Sequence, residues 1–73
     1  MSTKILIIGA CGQIGTELTH KLREIYGTEN VIASDIRKLN NDVVNSGPFE
    51  VVNALDFNQI EHLVEVHQID EIH

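Results

Sequence analysis

Gly9, Gly12 and Gly15 recur at every third position directly after the run Lys4-Ile5-Leu6-Ile7-Ile8. A segment of this kind brings backbone N–H groups close to a ligand, and the ligand that suits them is an anion. Placed between a strand and a helix, the three glycines have separable tasks. Gly9 allows the turn off the strand, Gly12 lets the backbone approach a pyrophosphate, and Gly15 lets the helix pack close to the sheet. The anion then meets the free N–H groups and positive dipole end of the helix N-terminus. Asp35 follows Gly15 by twenty residues, at the end of a second apolar run. A carboxylate there accepts hydrogen bonds from the hydroxyls of an adenosine ribose and repels a 2′-phosphate, which favours NAD over NADP. Plainer readings exist for both features: the glycines as punctuation, and Asp35 as a solvated loop acid. Arg37-Lys38 could in turn pair with a 2′-phosphate. The strand before the glycines and the helix after them favour nucleotide binding.

Other polar residues carry weaker signals. Asp56 can cap the helix that follows it by accepting from first-turn N–H groups, or it can line an adenine pocket together with Phe57. Cys11, inside the glycine loop and near a helix N-terminus that would lower a thiol pKa, reads better as a small loop filler. His20, His62, His67 and His73 include no pair at the i, i+4 spacing that presents two imidazoles to a metal, so no metal site is expected.

These residues need a scaffold, and the hydrophobic pattern supplies one. Lys4 to Ile8 is apolar on both faces and too short for a helix, as in a central parallel strand. From Gln13 to Tyr26 the period becomes helical, with Ile14, Leu18, Leu22 and Ile25 as the apolar stripe and Gly27 as the stop. Asn30 to Asp35 is a second strand. Residues 36–48 form a loop with one helical turn around Val43-Val44, and Phe49 to Asn53 is a third strand. After Asp56, Ile60, Leu63, Val64 and His67 line one face of another helix, and Ile69 to His73 begins a fourth strand. Strands alternating with helices imply right-handed crossovers. The expected architecture is α/β: a partial Rossmann fold with a four-stranded parallel sheet in the order 3-2-1-4 and one main helix on each face.

The chain has 73 residues, 42% of them hydrophobic but only 4% aromatic, so its core must be aliphatic. This is one small domain or part of a larger one. Eleven acidic residues against five basic ones leave a net charge of −6, which argues against nucleic acid as a partner. One cysteine and no signal-like segment point to a reducing cytoplasm. No run approaches the ~20 apolar residues of a membrane helix.

Gly-Ala-Cys-Gly-Gln-Ile-Gly after Lys-Ile-Leu-Ile-Ile, Ser-Asp-Ile after the second strand and Ala-Leu-Asp after the third resemble the extended short-chain dehydrogenase/reductase family, of NAD-dependent epimerase/dehydratase type. Within it the chain is most similar to the N-terminal segment of the short-chain-type L-threonine 3-dehydrogenases, with nucleotide-sugar epimerases as the alternative. The resemblance implies that Gly9, Gly12, Gln13, Ile14 and Gly15 meet the NAD pyrophosphate. It implies that Asp35, Ile36 and Arg37 surround the adenosine ribose and that Asp56 and Phe57 lie at the adenine. Residues 1–73 are then the N-terminal part of an NAD-binding domain, with no second domain. The family's Ser/Thr and Tyr-x-x-x-Lys proton-transfer set is not matched: Tyr26 is the one tyrosine, and position 30 is Asn. Catalysis by this polypeptide alone is not expected. An exposed sheet edge at Ile72 should favour homo-oligomers. A minimal scaffold that self-associates without cofactor, and an enzyme completed by a partner chain, are the competing expectations.

Overall fold

Ile5–Ile8 form β1, and Ile5, Leu6 and Ile7 are all buried, which places the strand in the middle of the sheet. The computed structural model describes residues 3–73. After β1 come α1 (Gln13–Tyr26), a 3-10 turn (Thr28–Asn30), β2 (Val31–Asp35), the single-turn α2 (Asp42–Asn45), β3 (Phe49–Val51), α3 (Phe57–His67) and β4 (Glu71–Ile72). All strand pairs are parallel, in the order β3-β2-β1-β4. Ile5 lies beside Val31 on one side and Glu71 on the other.

Alternation along the strands builds two faces. Ile5, Ile7, Val31 and Ala33 join Ala10 and Val43 in one cluster, covered by Leu18 and Leu22 of α1 and by Phe49. Leu6 and Ile32, in the alternate register, are equally buried on the opposite side. A right-handed crossover from β3 to β4 brings α3 to that side. There Leu63 is its buried residue, and His67 approaches Glu50 of β3 at 3.6 Å.

The helix after the glycines runs from Gln13 to Tyr26 as its period predicts, but its buried stripe lies elsewhere. Ile14 is 83% and Ile25 61% exposed, whereas Thr19 and Arg23 are buried. The close approach of Gly15 to the loop turns this line of the helix inward and leaves Leu18 and Leu22 at its flank. Thr19 satisfies its hydroxyl within the helix by donating to the Gly15 carbonyl at 2.7 Å. Asn30 leaves β2 for the 3-10 turn because its side-chain amide donates to the Tyr26 carbonyl at the end of α1. β3 stops at Val51, and Asn53 instead accepts from the Leu55 N–H. Ile69 closes α3 by donating to the Val64 carbonyl, so β4 begins two residues later than the sequence pattern suggests.

Arg23 is 5% exposed and gathers the α1 side of the molecule. Its guanidinium donates to the carbonyls of Val31 at 3.2 Å, Val43 at 2.9 Å and Pro48 at 2.7 Å, and to the Ser46 hydroxyl at 3.3 Å. One planar fork thereby ties α1 to β2, α2 and the entry to β3. Burial lowers its pKa from the usual guanidinium value, because the charge has lost water and its partners are neutral oxygens. Lysine would keep the charge without the fork. R23K should therefore lower the unfolding free energy by about 2–3 kcal/mol, since several acceptors lose their donor. Urea denaturation measures it, and a loss below about 0.5 kcal/mol, the range of an ordinary surface change, contradicts this role.

Candidate nucleotide site

All four strands end on the same side of the molecule, and the glycine loop leaves β1 there. Beside it lies a cleft of about 150 Å³ lined by Ile8, Gly9, Asp35, Ile36, Val52, Asn53 and Ala54. This is the crevice beyond the carboxyl ends of parallel strands where open α/β sheets take their ligands. β1 is also the strand from which the order runs outward in both directions, to β2 and to β4.

The three glycines differ in what the fold requires of them. Gly9 has φ +76°, a left-handed conformation that strains any residue with a Cβ. A Cβ at Gly15 would stand 2.2 Å from the Gly9 carbonyl oxygen and 2.9 Å from the Ala10 Cα, both backbone atoms that cannot step aside. Gly12 is under neither constraint. Its φ is −73° and ψ 167°, and a Cβ would meet only the Gly9 oxygen at an ordinary 3.6 Å. Gly12 is nevertheless the N-cap of α1, with no side-chain cap and no acid in the first turn. α3 and α2 begin differently, with Asp56 accepting from the Gln59 N–H and Asn41 from the Val44 N–H. The sequence thus forgoes a side-chain cap at the helix that opens from the glycine loop. An anion can take the place of the missing cap.

Asp35 faces the loop from the end of β2. Its Oδ2 accepts from the Cys11 N–H at 2.9 Å, and its Oδ1 accepts from the Ile36 N–H at 2.7 Å. The loop is fixed further by the Ala10 N–H on the Ser34 carbonyl at 2.8 Å and by the Thr16 hydroxyl on the Ala10 carbonyl at 3.0 Å.

The structure brings Gly9, Asp35 and Ile36 together as walls of the cleft, with Gly12, Gln13 and Ile14 exposed at the adjoining helix start. Arg37 follows Ile36 and is exposed. Asp56 caps α3, as one of its two readings anticipated, and Phe57 is exposed in the first helical residue; neither lines the cleft. Ile8, Val52, Asn53 and Ala54 do line it and were not singled out from the sequence. The position of the third strand's end, opposite Asp35, was the available signal. Cys11 is half-buried, and its backbone N–H is the group that contacts Asp35. Among the described residues no group of three His, Cys, Asp or Glu side chains is placed to hold a metal ion, and no helix is long and apolar enough to cross a membrane.

No protein-family model matches the chain. Individual relatives do. An uncharacterised epimerase/dehydratase of Staphylococcus aureus (strain USA300) is 50% identical over 70 residues, 94% of this chain and 22% of the relative. The L-threonine dehydrogenase of Clostridium difficile superimposes with a TM-score of 0.92 at 47% identity, covering 97% of this chain and 23% of that structure. A GalE-like L-threonine dehydrogenase of Cupriavidus necator, solved in its holo form, gives a TM-score of 0.84 at 43% identity over 94% of this chain and 22% of its own. The chain thus spans less than a quarter of the length of the relatives it matches, and it corresponds to their N-terminal part.

The different demands on Gly12 and Gly15 can be separated by stability alone. G12S should fold at least as stably as the parent, gaining a few tenths of a kcal/mol from the new cap. G15A should lose about 1–3 kcal/mol through backbone overlap. Thermal unfolding of both variants tests this, and a G12S protein that melts well below the parent would show that Gly12 is structural after all.

Proposed function

We propose that this chain, which by sequence and fold belongs with the extended short-chain dehydrogenases/reductases of epimerase/dehydratase type, holds the adenosine diphosphate half of NAD. Residues 1–73 are in this reading the N-terminal part of an NAD-binding Rossmann domain. The observation that carries it is Gly12: a helix start left uncapped, with an open approach, at a position where the fold tolerates a side chain. Gly9, Gly12, Gln13, Ile14 and Gly15 would surround the pyrophosphate. Asp35, Ile36 and Arg37 would surround the ribose, with the carboxylate oxygens each keeping acceptor capacity for a hydroxyl beyond the one N–H they hold. The adenine would lie in the cleft against Val52, Asn53 and Ala54, with Asp56 and Phe57 beyond them.

The residues present fit that half of the cofactor. When bound in a complete enzyme, NAD supplies hydride transfer; what these residues contribute is binding and orientation. The substrate of such an enzyme would be threonine, by likeness to the L-threonine dehydrogenases, or a nucleotide sugar. Tyr26 has no lysine four residues on, so the 73 residues alone are expected to give no NADH signal with threonine.

Calorimetric titration tests the binding reading. NAD and ADP should bind with Kd on the order of 1 mM, about −4 kcal/mol, since part of the cofactor's contacts are absent. NADP should bind more weakly because Asp35 repels its 2′-phosphate, and G12S should abolish binding of all three. Silence of the parent protein with NAD and ADP alike would overturn the reading.

One observation favours a second behaviour beside the first. Both residues of β4 are exposed, Ile72 to 50%, on a strand whose outer edge has no neighbour among the described residues. Such an edge offers backbone donors and acceptors to another strand, and a second copy of this chain is the proposed occupant. Light scattering at several concentrations should show mass rising with concentration; a monomer throughout rejects it.

A further inference from the structure

Within the nucleotide reading, the bond between Asp35 and the Cys11 N–H gives the carboxylate a second task. We infer that Asp35 is a positioning residue for the pyrophosphate loop, so that the ribose and pyrophosphate subsites are coupled through one side chain.

The anchoring of the loop supports this. Ala10 is held to the sheet by its N–H on the Ser34 carbonyl, and Gly12 contacts Gly9 through a long 3.3 Å bond inside the loop itself. Between them, Cys11 has one bond to the rest of the fold through its N–H, and the acceptor is Asp35 Oδ2 at 2.9 Å, twenty-four residues away. A carboxylate acceptor makes that bond stronger than its neutral neighbours. The Asp35 side chain is itself held, because Oδ1 takes the Ile36 N–H at 2.7 Å. Its orientation is therefore set before any ligand arrives, and the loop is set by it. A loop already ordered loses less freedom when it binds an anion.

Electrostatics alone predicts the reverse effect of removing this acid. A carboxylate near a phosphate site repels the ligand, so any neutral replacement should tighten pyrophosphate binding. Positioning predicts a split between two neutral replacements. In D35N the amide oxygen can still accept from Cys11; in D35A nothing can. Inorganic pyrophosphate has no ribose, so it reads the loop and not the hydroxyl contacts.

The experiment is titration of inorganic pyrophosphate into the parent, D35N and D35A proteins, followed by amide chemical shifts. D35A should bind about tenfold more weakly than D35N, the equivalent of one neutral hydrogen bond used to order the loop. Equal affinity in the two variants, or tighter binding by D35A, overturns the inference while leaving the nucleotide site standing. Absence of pyrophosphate binding in the parent removes the nucleotide reading and this inference with it. Amide exchange in the parent keeps the inference testable if D35A does not fold. The Cys11 N–H should exchange as slowly as that of Ala10, and exchange as fast as an open loop amide overturns it.

Discussion

The start of α1 is fixed by a contact between two stretches of backbone: Gly15 lies so close to the Gly9 carbonyl that no side chain fits between them. Much follows from that approach. It draws the helix onto β1 and turns Thr19 and Arg23 inward. It leaves Gly12, Gln13 and Ile14 at the start of the helix exposed. Arg23, eight residues further along, then reaches carbonyls of β2, α2 and the segment before β3. A glycine pair at one end of α1 and an arginine fork toward the other set the position of a helix that few large apolar residues hold.

This arrangement makes the site a product of backbone geometry. The groups offered to an anion are peptide N–H groups and a helix dipole, which need no titration and little rearrangement. The acid nearby is held by two backbone N–H groups and is the one charged side chain of the cleft lining. In the proposed reading such a site would distinguish ligands by shape and charge: a pyrophosphate against the helix start, hydroxyls and not a phosphate against the carboxylate. With a net charge of −6 on the chain, anion recognition in this reading would be local to the helix start.

Much of this was legible in the sequence because local patterns and tertiary demands agree. Ile5 to Ile8 could only be an interior strand, the three glycines fell at its end, and Asp56 stood where a cap belongs. The strand order followed from handedness applied to that succession of elements. What was not legible depended on partners distant in the chain. Arg23 looks like a residue of a solvated face until the carbonyls of Val31, Val43 and Pro48 surround it. Ile14 and Ile25 match a helical stripe, yet the backbone approach at Gly15 rotates them outward, to 83% and 61% exposure. Val52, Asn53 and Ala54 carry no chemical signature; their place in the cleft is a consequence of where β3 ends beside Asp35.

In the proposed reading the uncapped helix start and the strand-end cleft form one ligand site. Amide chemical-shift mapping with ADP tests it most directly, because every group proposed to act is a backbone N–H or lies next to one. Saturable shifts are expected, concentrated at Gly9 to Gly15, Asp35-Ile36 and Val52 to Ala54, with α3 beyond its first turn and β4 undisturbed. Saturable shifts centred on α3 or β4, or none at ADP concentrations well above 1 mM, the order of affinity expected for a half-cofactor, would contradict it.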